Sequence, residues 1–149
     1  MKGGTYSLMD VVASLTGPGA ALQMGYGMGL AEEAITITML EDKNTMQIGG
    51  DGEGQHNLHS GNAGTMTFRY LKTSPMNALL QGVYNAQKQS SALWGKNLIT
   101  VRHTASGDSH VGIQAAFKKK ADVPYQKVGN FMEWAFDCIK IESDLGDYS

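Results

Sequence analysis

Apolar residues alternate with period two along most of this chain and switch to helical spacing only once, which commits it to a mainly β fold with one helix. From Tyr6 to Leu15, residues Tyr6, Leu8, Asp10 and Val12 share one face, with Ser7, Met9, Val11 and Ala13 on the other. Both faces are partly apolar, as in a strand covered on both sides. Thr16-Gly17-Pro18-Gly19 reads as a turn. From Ala34 to Glu41, Ile35, Ile37 and Met39 oppose Thr36, Thr38 and Leu40. From Thr65, Met66, Phe68 and Tyr70 oppose Thr65, Thr67 and Arg69. Asn97–Thr104 and Ser109–Phe117 flank a four-residue turn, Ala105-Ser106-Gly107-Asp108, and predict a hairpin. A last strand from about Asn130 to Ile141 sets Met132, Trp134, Phe136 and Cys138 against Phe131, Glu133, Ala135, Asp137 and Ile139.

The single change of period begins at Ser74-Pro75, a capping hydroxyl followed by proline at the first helical position. Met76, Leu79, Leu80, Val83 and Tyr84 then form one apolar stripe, with Asn77, Gln81, Asn85 and Gln89 on the other side. The expectation is one domain over residues 1–149, a β-barrel or sandwich of six or more strands with one packed α-helix and a short polar tail.

One segment breaks the pattern. After Glu41-Asp42-Lys43-Asn44, the run from Ile48 to Gly64 holds six glycines and few large apolar side chains. A segment this long without regular structure is uncommon in a compact domain unless it is functional or disordered. The expectation is an extended arm over residues 44–64 that cannot build its own core and borrows order from a partner surface. Met46, Ile48 and Leu58 are its apolar anchors, and His56, Asn57 and His59 supply polar contacts.

Charged residues make up 17% of the 149, against a typical ~25%, so much of the surface is uncharged or covered by other chains. A net charge of −2 removes the sequence-independent pull toward phosphate that a nucleic-acid binder advertises. Lys118-Lys119-Lys120 reads as a solvated turn. Cys138 is the only cysteine, which fits a reducing compartment. No apolar run approaches the ~20 residues of a membrane span, and the opening residues lack a signal-peptide core.

Catalytic motifs are weak throughout. His56-x-x-His59 with Asp51 and Glu53 nearby has the donor types of a zinc site, but the spacing is loose. Asp51-x-Glu53-x-Gln55 lacks the glycine and terminal glutamate of a calcium loop. Gly25-Tyr26-Gly27-Met28-Gly29 lacks the strand before and the helix after that a phosphate cradle requires, and reads as a flexible turn. Glu32 and Glu33 are adjacent, so in a strand they point to opposite faces. Cys138 alternates onto the Trp134/Phe136 face, which predicts a buried thiol, and His103 and His110 flank a turn with no obvious acidic partner. No catalytic, cofactor or metal residue is assigned. The alternatives are a small β-barrel binding module for carbohydrate or protein, using Trp94 and the arm, or a metal-dependent hydrolase built on the histidine pair.

A family resemblance runs through nearly the whole chain. It is carried by Thr5-Tyr6-Ser7-Leu8-Met9-Asp10, Ser14-Leu15-Thr16-Gly17-Pro18, Glu41-Asp42-Lys43-Asn44-Thr45-Met46-x-Ile48-Gly49-x-Asp51-Gly52 and His56-x-Leu58-His59-x-Gly61-x-Ala63-Gly64. Leu71-Lys72-Thr73-Ser74-Pro75-x-Asn77, Tyr84-Asn85-Ala86-Gln87, Ala116-Phe117-x-Lys119 and Glu133-Trp134-x-Phe136-Asp137-x-Ile139-x-Ile141 continue it. In order and spacing these resemble the tail tube proteins of contractile-tailed bacteriophages, similar in fold to the tubes of R-type pyocins and type VI secretion. The resemblance implies a virion protein assembled in the host cytoplasm, with hexameric rings stacked into a hollow tube. It also implies a sheath, tape measure, baseplate and tail terminator as partners, and DNA passing the lumen without specific binding. No catalytic residues come with it.

Overall fold

The computed structural model describes residues 4–24, 34–129 and 131–147. Its elements are β1 (Val11–Gly17), β2 (Ala20–Gln23), β3 (Ala34–Met39), β4 (Asn44–Ile48), β5 (Gly54–Leu58) and β6 (Gly64–Leu71), then α1 (Pro75–Gln87), β7 (Asn97–His103), β8 (Asp108–Phe117) and β9 (Phe131–Asp144). Seven strands form one antiparallel sheet in the order β2-β1-β7-β8-β9-β6-β3, and β4 and β5 pair only with each other. The mainly β architecture with one packed helix is the one expected.

The alternating faces of the long strands build the core. Met66, Phe68 and Tyr70 of β6 and Met132, Trp134, Phe136 and Cys138 of β9 are all buried, together with Ala13, Leu15, Ile99 and Val101 from β1 and β7. Phe117 of β8 sits at the centre of an aromatic cluster, its ring 4.6 Å from Phe136, 5.5 Å from Tyr84 and 5.9 Å from Trp134. Each large side chain removed from water here contributes about 1.5–3 kcal/mol.

The sheet is strongly curled. In β8 the register slips between the Ile99–Gly112 and Asn97–Ala115 pairs, and Gln114 adopts φ 52°. One extra residue on a strand bends it and increases its twist. The curl brings Met24, just past β2, under β6: the Tyr70 hydroxyl donates to the Met24 carbonyl at 2.6 Å inside the core.

Several boundaries differ from expectation. The first strand does not begin at Tyr6, because the Ser7 hydroxyl accepts from the Met9 N–H and caps a single 3-10 turn at Leu8–Asp10. The turn after β1 is tighter than Thr16–Gly19: pairing runs through Gly17↔Ala20, leaving Pro18 and Gly19, with Gly19 at φ +69°. That pairing creates β2, a strand the alternation had not announced.

The helix is also rotated from its expected setting. Ser74 caps it as predicted, accepting from the Met76 N–H at 3.2 Å. Met76 and Leu80 are fully buried, but Leu79 is 42% exposed and Asn77 is buried instead. Asn77 accepts from the Trp134 indole N–H at 3.1 Å and donates to the carbonyls of Leu71 and Lys72. Gln87, also buried, exchanges two hydrogen bonds with Asn97 at 2.8 and 2.9 Å. Amides this well satisfied can be buried, so polarity misled the assignment of faces.

Candidate functional site

The arm expected over 44–64 as a segment without regular structure is a β-hairpin from Asn44 to Leu58. Its glycines make the turn rather than loosening the chain. Gly49 N–H donates to the Glu53 carbonyl at 2.7 Å and Gly52 N–H to the Gly49 carbonyl at 3.0 Å. Gly52 has φ +88°, the left-handed residue that a three-residue hairpin loop calls for. The Asp51 carboxylate accepts from the Glu53 N–H at 3.1 Å and fixes the loop further.

The base is tied to the body. Lys43 Nζ donates to Asn62 Oδ1 at 2.8 Å, and the Asn62 carbonyl accepts from the Ile141 N–H at 2.8 Å. Gly64 begins β6 under Ile141, where a Cβ would come within 2.6 Å of the isoleucine Cδ1 and of the Thr38 carbonyl. No larger residue fits there without displacing backbone.

Pairing sorts the side chains into two faces. Met46 lies opposite His56, Asn44 opposite Leu58 and Ile48 opposite Gly54, so these residues share one face. Met46, Ile48 and Leu58 on it are 61%, 60% and 81% exposed. The other face carries Thr45, Gln47, Gln55 and Asn57, with Asn57 bonded to the Gln55 amide and the Thr45 carbonyl. The arm is therefore an amphipathic hairpin whose apolar side has no cover within the described residues. Of the six contact residues expected from sequence, Met46, Ile48, Leu58 and His56 come together, while Asn57 faces the opposite way. His59 lies past β5 and meets Thr45 Oγ1 at 3.0 Å.

That arrangement separates the histidine pair: the His56 ring is bonded to Asn44 at 3.2 Å, and His59 to Thr45. Among the described residues no group of three or more His, Cys, Asp and Glu side chains is placed to hold a metal ion. His103 is buried, its ring bonded to Ser106 Oγ and the Ser7 carbonyl and stacked on Tyr6 at 5.3 Å. His110 meets Ser143 Oγ at 2.8 Å. Asp108, beside both histidines, is held below its ordinary value of 3.8, chiefly by the Gly146 N–H. Cys138 is buried, and burial pushes its thiol up to about 11, with a smaller push from Asp137. Trp94 is half-buried, packed edge-on against Tyr84. Lys118, Lys119 and Lys120 are exposed, and Lys119 pairs with Asp122 at 3.5 Å. Gly25–Gly29, Glu32 and Glu33 lie outside the described residues.

Sequence reasoning missed a second apolar surface. Between β2 and α1 lies an open groove of about 410 Å³, floored by Ala20, Leu22, Ala78, Leu79, Gly82 and Val83. Its only sequence signal is small residues four apart on the helix, Ala78, Gly82 and Ala86.

The curled sheet, flanking helix and projecting hairpin define a fold shared with subunits of contractile and phage-like tails. Solved structures similar to this chain include an extracellular contractile injection system PVC sheath/tube terminator in the extended state (TM-score 0.61, 11% identity, 94% of this chain and 96% of that one). The anti-feeding prophage baseplate, 6-fold symmetrised, gives a TM-score of 0.62 at 8% identity, over 96% and 97% of the two chains. The tail of an empty GTA particle, refined with C6 symmetry, gives 0.59 at 11% identity, over 96% and 100%. A comparison with curated proteins finds no match. A family model described as bacteriophage PhiTE tail tube protein matches residues 3–146, and the chain belongs to that family.

Proposed function

We propose that this chain is the tube subunit of a contractile phage tail: hexameric rings of it stack into a hollow tube within the virion. The observation that carries this reading is the projecting hairpin, whose three large apolar side chains are more than half exposed in a chain of the tail tube family. Burying them gives successive rings a reason to stack. The sixfold symmetry of two similar structures supports the hexamer.

In this reading the tube sits inside a sheath, is initiated on a baseplate and is closed by a terminator. The lumen holds the tape measure protein and then passes DNA. A chain with a net charge of −2 suits that passage, since a basic lining would retain phosphate. The role is structural, with no reaction to catalyse.

Electron microscopy of the purified protein tests the assembly, alone and on a baseplate template. Long tubes or stacked rings are expected. Replacing residues 45–58 with a short Gly-Ser linker should abolish tube growth while leaving the melting transition of the subunit in place. Tubes of normal length from that variant would sink the proposed role of the arm. Monomers alone from the intact chain under both conditions would sink the tube assignment.

A further inference from the structure

We infer that the groove between β2 and α1 receives the apolar face of the hairpin from a second copy of this chain; this rests on the arm being an assembly element, as proposed above. The first observation is Gly82. It lies in the middle of α1, where glycine weakens a helix, yet its φ is not positive and a Cβ there would meet nothing within 4 Å. Nothing in the described subunit asks for glycine at this place. A second chain lying close along the helix does, because a missing Cβ lets the two backbones approach. Ala78 and Ala86, about one turn to either side, are exposed and keep the same line low.

Dimensions and chemistry agree. The arm from Asn44 to Ile48 spans about 13 Å at ~3.3 Å per residue. The helix from Ala78 to Ala86 spans about 12 Å at 1.5 Å per residue. Among the described residues, none that lines the groove or lies on the apolar face of the arm carries a carboxylate, ammonium or guanidinium, so neither surface loses the solvation of such a charge on contact. Met46, unbranched and flexible, suits a shallow floor of small residues.

Symmetry gives the contact its consequence. Finger and groove are different patches of one subunit, so their union is head-to-tail. Such contacts propagate from copy to copy as rings or stacks instead of closing a dimer.

The test uses the full chain in a Cys138→Ala background, which removes the only native thiol. Leu58→Cys combined with Ala78→Cys, an exposed residue that lines the groove, should give disulfide-linked ladders between chains when assembled tubes are oxidised. Gln55→Cys, on the opposite face of the arm, with Ala78→Cys should not. A thiol reagent should label Ala78→Cys at least tenfold more slowly in tubes than in free subunits. Gly82→Ala should reduce tube yield severalfold and Gly82→Trp at least tenfold. Equal labelling rates in tubes and subunits, a Gly82→Ala variant that assembles as well as the parent, or tubes whose Leu58→Cys/Ala78→Cys pair links no better than the Gln55→Cys control, would overturn the groove. The arm's role would then stand or fall separately on the linker replacement described above.

Discussion

β6 and the arm each present one apolar face of a strand pair, and the two faces meet opposite fates. Met66, Phe68 and Tyr70 of β6 are 0% exposed, while Met46, Ile48 and Leu58 of the arm are 60% exposed or more. Both sets mark one face of a hydrogen-bonded strand pair. The difference lies in what surrounds each pair. β6 has β9 and β3 on its two edges and the core beneath it, whereas each arm strand has one partner among the described residues. Alternation thus announces that a face is destined for burial without saying whether the cover lies in the same subunit. An isolated two-stranded hairpin is marginal in water, so within the described subunit the arm rests on its tight turn and tied base.

The contrast is broken most severely by emptying the core. Trp134 is fully buried in the aromatic cluster and donates to Asn77. Trp134→Ala should cost about 3–5 kcal/mol, read as a lowered denaturant midpoint, with assembly lost because the subunit no longer folds fully. A cost below 1 kcal/mol would mean that the body is not organised around this cluster.

The helix allows a sharper test on two adjacent residues. Leu80 is fully buried and Leu79 is 42% exposed. Leu80→Ala should cost roughly 2–5 kcal/mol, and Leu79→Ala less than about 1 kcal/mol. Equal effects on thermal unfolding would show that the rotation of α1 is wrong and that the expected Leu79–Leu80 stripe is the true core face.

These two residues also show how far the sequence could be followed. The buried faces of β6 and β9 were legible residue by residue, because each strand is covered by apolar neighbours on one side. The setting of α1 was not: Asn77 and Gln87 look like solvent residues until Trp134, the Leu71 carbonyl and Asn97 are brought opposite them. The sequence singled out six arm residues as an expectation, but their division between two faces was not legible in it. That division depends on the register fixed by the Gly49–Glu53 turn, and glycines there read equally well as a loose loop. β2 escaped because its four residues are defined by pairing with β1 rather than by their own pattern. The groove escaped for a similar reason, since half of it is made by that strand.

A smaller effect is expected at Cys138. Replacing it with Ala should cost on the order of 1 kcal/mol, the loss of one small buried group. Because burial raises the thiol from 9.0 to about 11, the folded state favours the protonated form. The resulting contribution to stability is fully present below 9.0 and declines as pH rises toward 11. The native subunit should therefore resist a maleimide at pH 8 and react promptly once unfolded. Rapid labelling of the native protein would place the thiol at an accessible surface.

The smallest effect on subunit stability is expected where large apolar side chains stand exposed. Met46, Ile48 and Leu58 touch solvent on the arm's apolar face, and truncating an exposed residue away from packed features usually changes stability by no more than about 0.5 kcal/mol. Changing all three to Ser should therefore leave the melting transition nearly unmoved and should raise the solubility of free subunits by removing an exposed apolar patch. The same variant should fail to extend tubes, because the loss falls entirely on the assembled state. Hydrogen exchange separates the two states directly: arm amides should exchange quickly in free subunits and slowly in tubes, while amides of β6 stay protected in both. A triple variant that melted several degrees lower as a monomer would show that the arm packs on its own body in solution. The difference between the two strand pairs would then be one of degree, and the cover for the apolar face would have to be sought within a single subunit.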